Sequence, residues 1–162
     1  VRMNEAIVWG QPSWSNHYPS DHYPFMYKTR SKYNSIIKIR LADILLLKAE
    51  AYVETGNLQA AAGIVNTIRN RAKLEDLPGT TTTSKDKMAD AVLNERRLEL
   101  AFEGQRWFDL VRTGKVFAVM NSLNSRDSGR LPVTPVTEAT VLLPIPQTQI
   151  DKNPNLTQNT GY

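Results

Sequence analysis

Residues 95–112 read ERRLELAFEGQRWFDLVR. On a helix turning about 100° per residue, Met88, Val92 and Phe102 make one apolar stripe, and Glu95, Glu99, Glu103 and Arg106 fall inside it. A solvated helix face places its charges opposite the apolar residues, with Glu followed by Lys or Arg four positions later. Here three carboxylates follow one another at i, i+4 and i+8, and the pattern points them inward. A carboxylate taken out of water is tolerated only when it is paired and hydrogen-bonded. The chain therefore has to fold so that arginines converge on this stripe, and it carries Arg40, Arg69, Arg71, Arg96, Arg106 and Arg112. The expected structural charge network is Arg40, Glu95, Glu99, Glu103, Arg106 and Arg112, with Arg106 and Arg112 as the convenient counterions on adjacent turns. Arg97 is expected to point outward.

The rest of the chain reads as mainly α. A first helix over 41–55 has apolar residues nearly all round, so it is expected to be sandwiched between neighbours. Gly56 and Asn57 break it, and a second helix runs over 58–73 with Leu58, Ala61, Val65, Ile68 and Ala72 on one side. Ala49, Ala51, Tyr52, Gly56, Leu58 and Ala61 stand at the spacing of a tetratricopeptide repeat. After a loop at 77–84, capped by Thr83 or Ser84, the charged helix is expected over 85–103. Gly104 allows a bend before a helical segment at 105–112, and an amphipathic helix follows at 115–123. Residues 124–138 read as loop. Pro144 and Pro146 hold 142–146 extended, and the tail from Gln147 reads as a turn-rich strap. The fold class is thus a tetratricopeptide-like helical hairpin with further packed helices, an irregular aromatic N-terminal segment and an extended C-terminal strap.

Residues 1–33 form a unit of their own composition, set apart from a helical domain at 34–162. They hold seven of the thirteen Phe, Trp and Tyr residues, both histidines and three prolines. Prolines at 12, 19 and 24 deny a long helix, so this is an irregular loop leading into an extended piece near 33–39. Sugar rings pack their C–H faces on Trp and Tyr planes, and this makes Trp9, Trp14, Tyr18, Tyr23 and Tyr27 the candidate glycan-binding residues. The competing reading is that these rings cover the hydrophobic core or a junction with a part of the protein outside this chain.

Other chemistry is thinly represented. Two inward carboxylates one helical turn apart could serve as a general acid and base, but a salt-bridge network explains them without a substrate. His17 and His22 lack any metal-ligand spacing. No nucleophile elbow, phosphate loop or dinucleotide fingerprint is present, so neither a catalytic residue nor a cofactor is assigned. The sequence has no cysteine, which excludes disulfides and cysteine zinc sites. Twenty Lys and Arg against sixteen Asp and Glu are interleaved rather than clustered, which argues against nucleic acid. No apolar run approaches the length of a membrane span, and Val1 does not open a secretion signal.

Four stretches together resemble the SusD/RagB-type outer-membrane nutrient-binding lipoproteins. Residues 95–112 are similar to that family's ER..ELAFEG.R..DL.R signature. RLADILLLKAEA at 40–51, NTIRNRA at 66–72, and LPIP at 143–146 followed by NPNLTQNTGY at 153–162 match three more of its motifs, in family order. The resemblance covers about residues 32–162 and implies the C-terminal part of a longer protein. It further implies non-catalytic capture of an oligo- or polysaccharide at the extracellular face of the outer membrane. It implies a lipid anchor outside this chain and a TonB-dependent, SusC-like transporter as partner. It makes the charged motifs framework residues. A tetratricopeptide-type interaction module is the alternative, and a carbohydrate-degrading enzyme a distant third.

Overall fold

The computed structural model describes residues 7–8, 25–26, 28, 38–125 and 135–162. Trp9, Trp14, Tyr18, Tyr23 and Tyr27 lie outside the described residues, as does the expected boundary near residue 33. Two short strands are described in the N-terminal part: β1 (Ile7–Val8) and β2 (Phe25–Met26), paired antiparallel with Ile7 opposite Met26 and Val8 opposite Phe25. The chain divides into two units, residues 1–106 and 107–162.

The first unit is built on three helices, α1 (Leu41–Glu54), α2 (Leu58–Arg71) and α3 (Lys85–Glu99). Leu46, Ala49 and Val53 of α1 meet Ala61, Ala62, Val65 and Ile68 of α2, and Met88 and Val92 of α3 close the core. The three alanines remove side-chain bulk between α1 and α2, and each Leu or Val fully withdrawn from water contributes about 1.5–3 kcal/mol. The turn between α1 and α2 is set by Gly56 at φ +79°. The Asn57 N–H donates to the Tyr52 carbonyl at 2.8 Å and the Gly56 N–H to that of Val53 at 3.1 Å, a Schellman termination. Asn57 then caps α2 by accepting from the Ala60 N–H.

Among the described residues, one side of α1 is covered. Asp43, Leu46, Ala49 and Val53 are buried, while Leu41, Ile44 and Leu47 are exposed. The expected sandwich is therefore half present, because α2 and α3 both pack on the same face. The tetratricopeptide spacing yields a single hairpin among the described residues. After α2, Asn66 accepts from the Leu77 N–H at 2.9 Å, which fastens the following loop to the helix. A 3₁₀ turn (Gly79–Thr83) leads to Ser84, whose hydroxyl accepts from the Lys87 N–H and caps α3.

In the second unit, α4 (Arg106–Arg112) ends at Gly114, φ +68°, with the Lys115 N–H on the Leu110 carbonyl. Next come α5 (Val116–Asn121) and a 3₁₀ turn (Ser122–Ser125), then, past the undescribed residues, α6 (Glu138–Val141) and α7 (Gln147–Ile150). The short α6 overlaps the expected loop only at Glu138 and fills the stretch before the extended residues 142–146. Thr137 and Thr140 form its capping box, a signature weakened in sequence because Thr replaces the usual Glu or Gln. Residues 142–146 are extended, and the C-terminal residues grip them. The Gln158 side-chain amide donates to the Ile145 carbonyl (2.9 Å) and accepts from its N–H (2.8 Å). Asn159 donates to the Leu143 carbonyl and the Tyr162 hydroxyl to that of Leu142. Gly161, at φ +102°, lies so close to Ala139 that a Cβ there would stand 2.5 Å from the alanine methyl.

Candidate functional site

The charged stripe sits on α3, and α1 and α2 bring its counterions. Glu95 and Glu99 are 1% and 4% exposed, although both are carboxylates. Arg69 of α2 donates Nη1 to Glu95 Oε2 at 3.3 Å, and its Nε holds the Glu75 carbonyl at 2.7 Å. Arg96 is buried and pairs at 2.8 Å with Asp43 in the first turn of α1. There Asp43 also meets the positive end of the helix dipole. Arg97, one residue on, is exposed and bonds Asn94 on its own helix.

The densest part lies at the end of α3. Glu99 Oε1 accepts from Arg40 Nη1 at 2.7 Å and also from Arg71. Arg40 turns its Nε (2.8 Å) and Nη2 (2.9 Å) to the two oxygens of Glu103, and the same Nη2 reaches the Glu99 carbonyl at 2.6 Å. One planar guanidinium thus joins two carboxylates and a helix C-terminal carbonyl, a geometry that a lysine cannot reproduce. Lys28 adds its ammonium to the Glu99 carbonyl at 2.6 Å and to Glu103 Oε1 at 2.5 Å. Both cations satisfy carbonyls that the helix itself leaves open, at the end where its dipole favours positive charge.

This arrangement differs from the expected continuous stripe. The helix stops at Glu99, not Glu103. Leu100 ends it, Phe102 takes φ +68°, and Gly104 takes φ +80°. Phe102 is consequently 43% exposed rather than part of the apolar stripe. Glu103 reaches Arg40 from a turn, not from a further helical turn. Arg40 stands at the centre, Arg106 donates to the Leu93 carbonyl at 3.5 Å, and Arg112 pairs with Asp109 three residues earlier at 2.8 Å. Lys28, Asp43, Arg69, Arg71 and Arg96 join the network without having been assigned to it. Arg69, Arg71 and Arg96 stood among the available arginines. Asp43 stands in the motif at 40–51, but nothing in its spacing indicates an ion pair, and Lys28 gives no signal.

Burial by itself would raise the Glu103 carboxyl. Hydrogen bonds from Arg40 and then Lys28, with their charges, outweigh it and hold the group below its ordinary value. Arg40 is shifted upward: its own desolvation is overcome by the hydrogen bonds to Glu103 and Glu99. Among the described residues, no three His, Cys, Asp or Glu side chains converge in a way that could hold a metal ion, and no helix is long and apolar enough to cross a membrane.

These inward acids, the arginines that meet them and the tail gripping residues 142–146 are the motifs behind the family resemblance. The SusD family model matches residues 13–162. The chain belongs to the SusD family. It is 38% identical over 134 residues to SusD-like protein P38 of Formosa agariphila, which covers 79% of this chain and 25% of that protein. It is 33% identical over 149 residues to the starch-binding protein SusD of Bacteroides thetaiotaomicron, covering 92% of this chain and 25% of that one. The crystal structure of a SusD superfamily protein from Bacteroides vulgatus superposes with a TM-score of 0.73 at 26% identity, over 99% of this chain and 39% of the other. A SusD-like protein from Bacteroides fragilis gives a TM-score of 0.63 at 30% identity, over 78% and 26%. The chain thus spans about a quarter of the length of the relatives P38 and SusD.

Proposed function

We propose that this protein captures a glycan without cleaving it, at the outer face of the outer membrane, and delivers it to a TonB-dependent, SusC-like transporter, held to the membrane by a lipid anchor outside this chain. The observation that carries the reading is the 33% identity, over 92% of the chain, to a relative named for starch binding. The network on α3 supports the non-catalytic part. Glu95, Glu99 and Glu103 are each engaged by a cation, so a salt-bridge network accounts for them without a substrate. Recognition is assigned to aromatic stacking, with Trp9, Trp14, Tyr18, Tyr23 and Tyr27 as candidates. The network of Arg40, Glu95, Glu99, Glu103, Arg106 and Arg112 is assigned to framework. Affinity electrophoresis of the full-length protein through gels holding soluble starch, xylan, pectin or alginate tests this. Retardation in at least one gel, with no release of reducing ends, is expected. Free migration in all four overturns glycan capture, and released reducing ends overturn the non-catalytic part.

A second reading has one observation in its favour. Leu41, Ile44 and Leu47 expose an apolar row along α1, as an interaction module would. Free migration in every gel, with retained binding to the transporter, would favour it.

A further inference from the structure

Lys28 stands two residues beyond β2, yet its ammonium lies at the C-terminal turn of α3. It is 2.6 Å from the Glu99 carbonyl oxygen, 3.2 Å from that of Ala101 and 2.5 Å from Glu103 Oε1. Three acceptors around one ammonium match its three N–H donors. β1 and β2 form a ladder of only two residue pairs, and a ladder of that size does not hold itself together in water. Its two strands bring residues 8 and 25 side by side, so they are the common base of the chain between them, which carries Trp9, Trp14, Tyr18 and Tyr23. The contact from Lys28 spans 71 residues of sequence to Glu99.

We propose that Lys28 is a positioning residue: its ammonium fastens the β1–β2 ladder to the end of α3 and gives the aromatic-rich segment a fixed origin on the helical core. The fastening stands on the geometry alone. Its consequence for ligand capture rests on the glycan reading above. Arg40 holds Glu103 through two nitrogens, and Arg40 and Arg71 hold Glu99. Removing Lys28 therefore leaves both carboxylates paired, so the helical core is expected to persist while the ladder loosens.

The test compares Lys28→Met and Lys28→Arg with wild type in the full-length protein. Hydrogen exchange read by mass spectrometry is followed on peptides around residues 25–28 and on peptides from α1, α2 and α3. Lys28→Met should speed exchange in the first region by about tenfold or more and leave the helical peptides unchanged. Lys28→Arg, which keeps the charge and the donors, should restore most of the protection. Retardation in the starch, xylan, pectin or alginate gel that holds the wild type should fall about tenfold in Lys28→Met and recover in Lys28→Arg. Unchanged exchange around residues 25–28 in Lys28→Met overturns the fastening. Faster exchange with unchanged retardation overturns the positioning role. Faster exchange in a protein whose wild type enters all four gels freely sinks glycan capture, and positioning with it, while the fastening stands.

Discussion

Glu99 is held from three directions. Arg40 of the chain before α1 and Arg71 of α2 meet its carboxylate, and Lys28 and Arg40 meet its carbonyl. Removing this buried carboxylate breaks its pairs with Arg40 and Arg71, and breaking a buried pair costs about 3–5 kcal/mol. Glu99→Ala should lower the melting temperature by on the order of 10 °C, while Arg97→Ala, at an exposed position, should barely move it; thermal melts of both variants check this. Equal melting points would contradict the assignment of Glu99 to the interior. The acid limb of stability follows from Glu103. A carboxyl depressed in the folded state contributes stability that is present above its ordinary value of 4.5 and is lost as pH falls through the depressed value. Arg40 is raised, so its contribution is present throughout the acid and neutral range and does not bend the curve there. The melting temperature should therefore decline below about pH 4.5, and Glu103→Gln should flatten part of that decline. A variant with the same slope as wild type would remove Glu103 from the acid transition.

Helix α1 makes a direct comparison within one element. Leu46 is fully buried and Ile44 half-exposed on the opposite face. Leu46→Ala should cost about 2–5 kcal/mol in denaturant unfolding, and Ile44→Ala well under 1 kcal/mol; similar losses would contradict the one-sided packing. Helix endings show what was legible in the sequence. α1 and α4 stop at Gly56 and Gly114, both at positive φ, and both endings are readable because glycine takes that conformation without strain. α2 stops two residues short of the expected position, because Lys73 adopts φ +56°, with the Leu74 N–H on the Arg69 carbonyl. Nothing about a lysine announces that. Lys73→Gly should accordingly stabilise the protein by about 0.5–1 kcal/mol, the strain of an L-residue there exceeding the entropic cost of glycine. A destabilised variant would deny the strain. The end of α3 was hidden for a different reason. Its periodicity continues through Phe102 and Glu103, whereas the terminus is held by Lys28 and Arg40, at 71 and 59 residues from Glu99. Local pattern shows that carboxylates turn inward; it does not show which distant cation meets them.

At the scale of the whole molecule, the mainly helical fold is readable from the sequence, and the SusD-family neighbours agree with it. Ligand recognition was far less legible. Stacking on an aromatic ring leaves no periodic trace, and prolines among the rings indicate only that they are not on a helix. If the segment from residue 9 to 27 forms a sugar platform, Trp14→Ala and Tyr23→Ala should each weaken glycan affinity by on the order of tenfold while melting like wild type. Unchanged affinity in both would assign these rings to packing. Capture without turnover is the central claim. Isothermal titration calorimetry of the full-length protein, with the polysaccharide that retards it most as titrant, tests binding and hydrolysis in one experiment. The account predicts a saturable isotherm in which heat returns to baseline after every injection. Absence of any binding heat, or a sustained heat flow that scales with enzyme-like turnover, would contradict it.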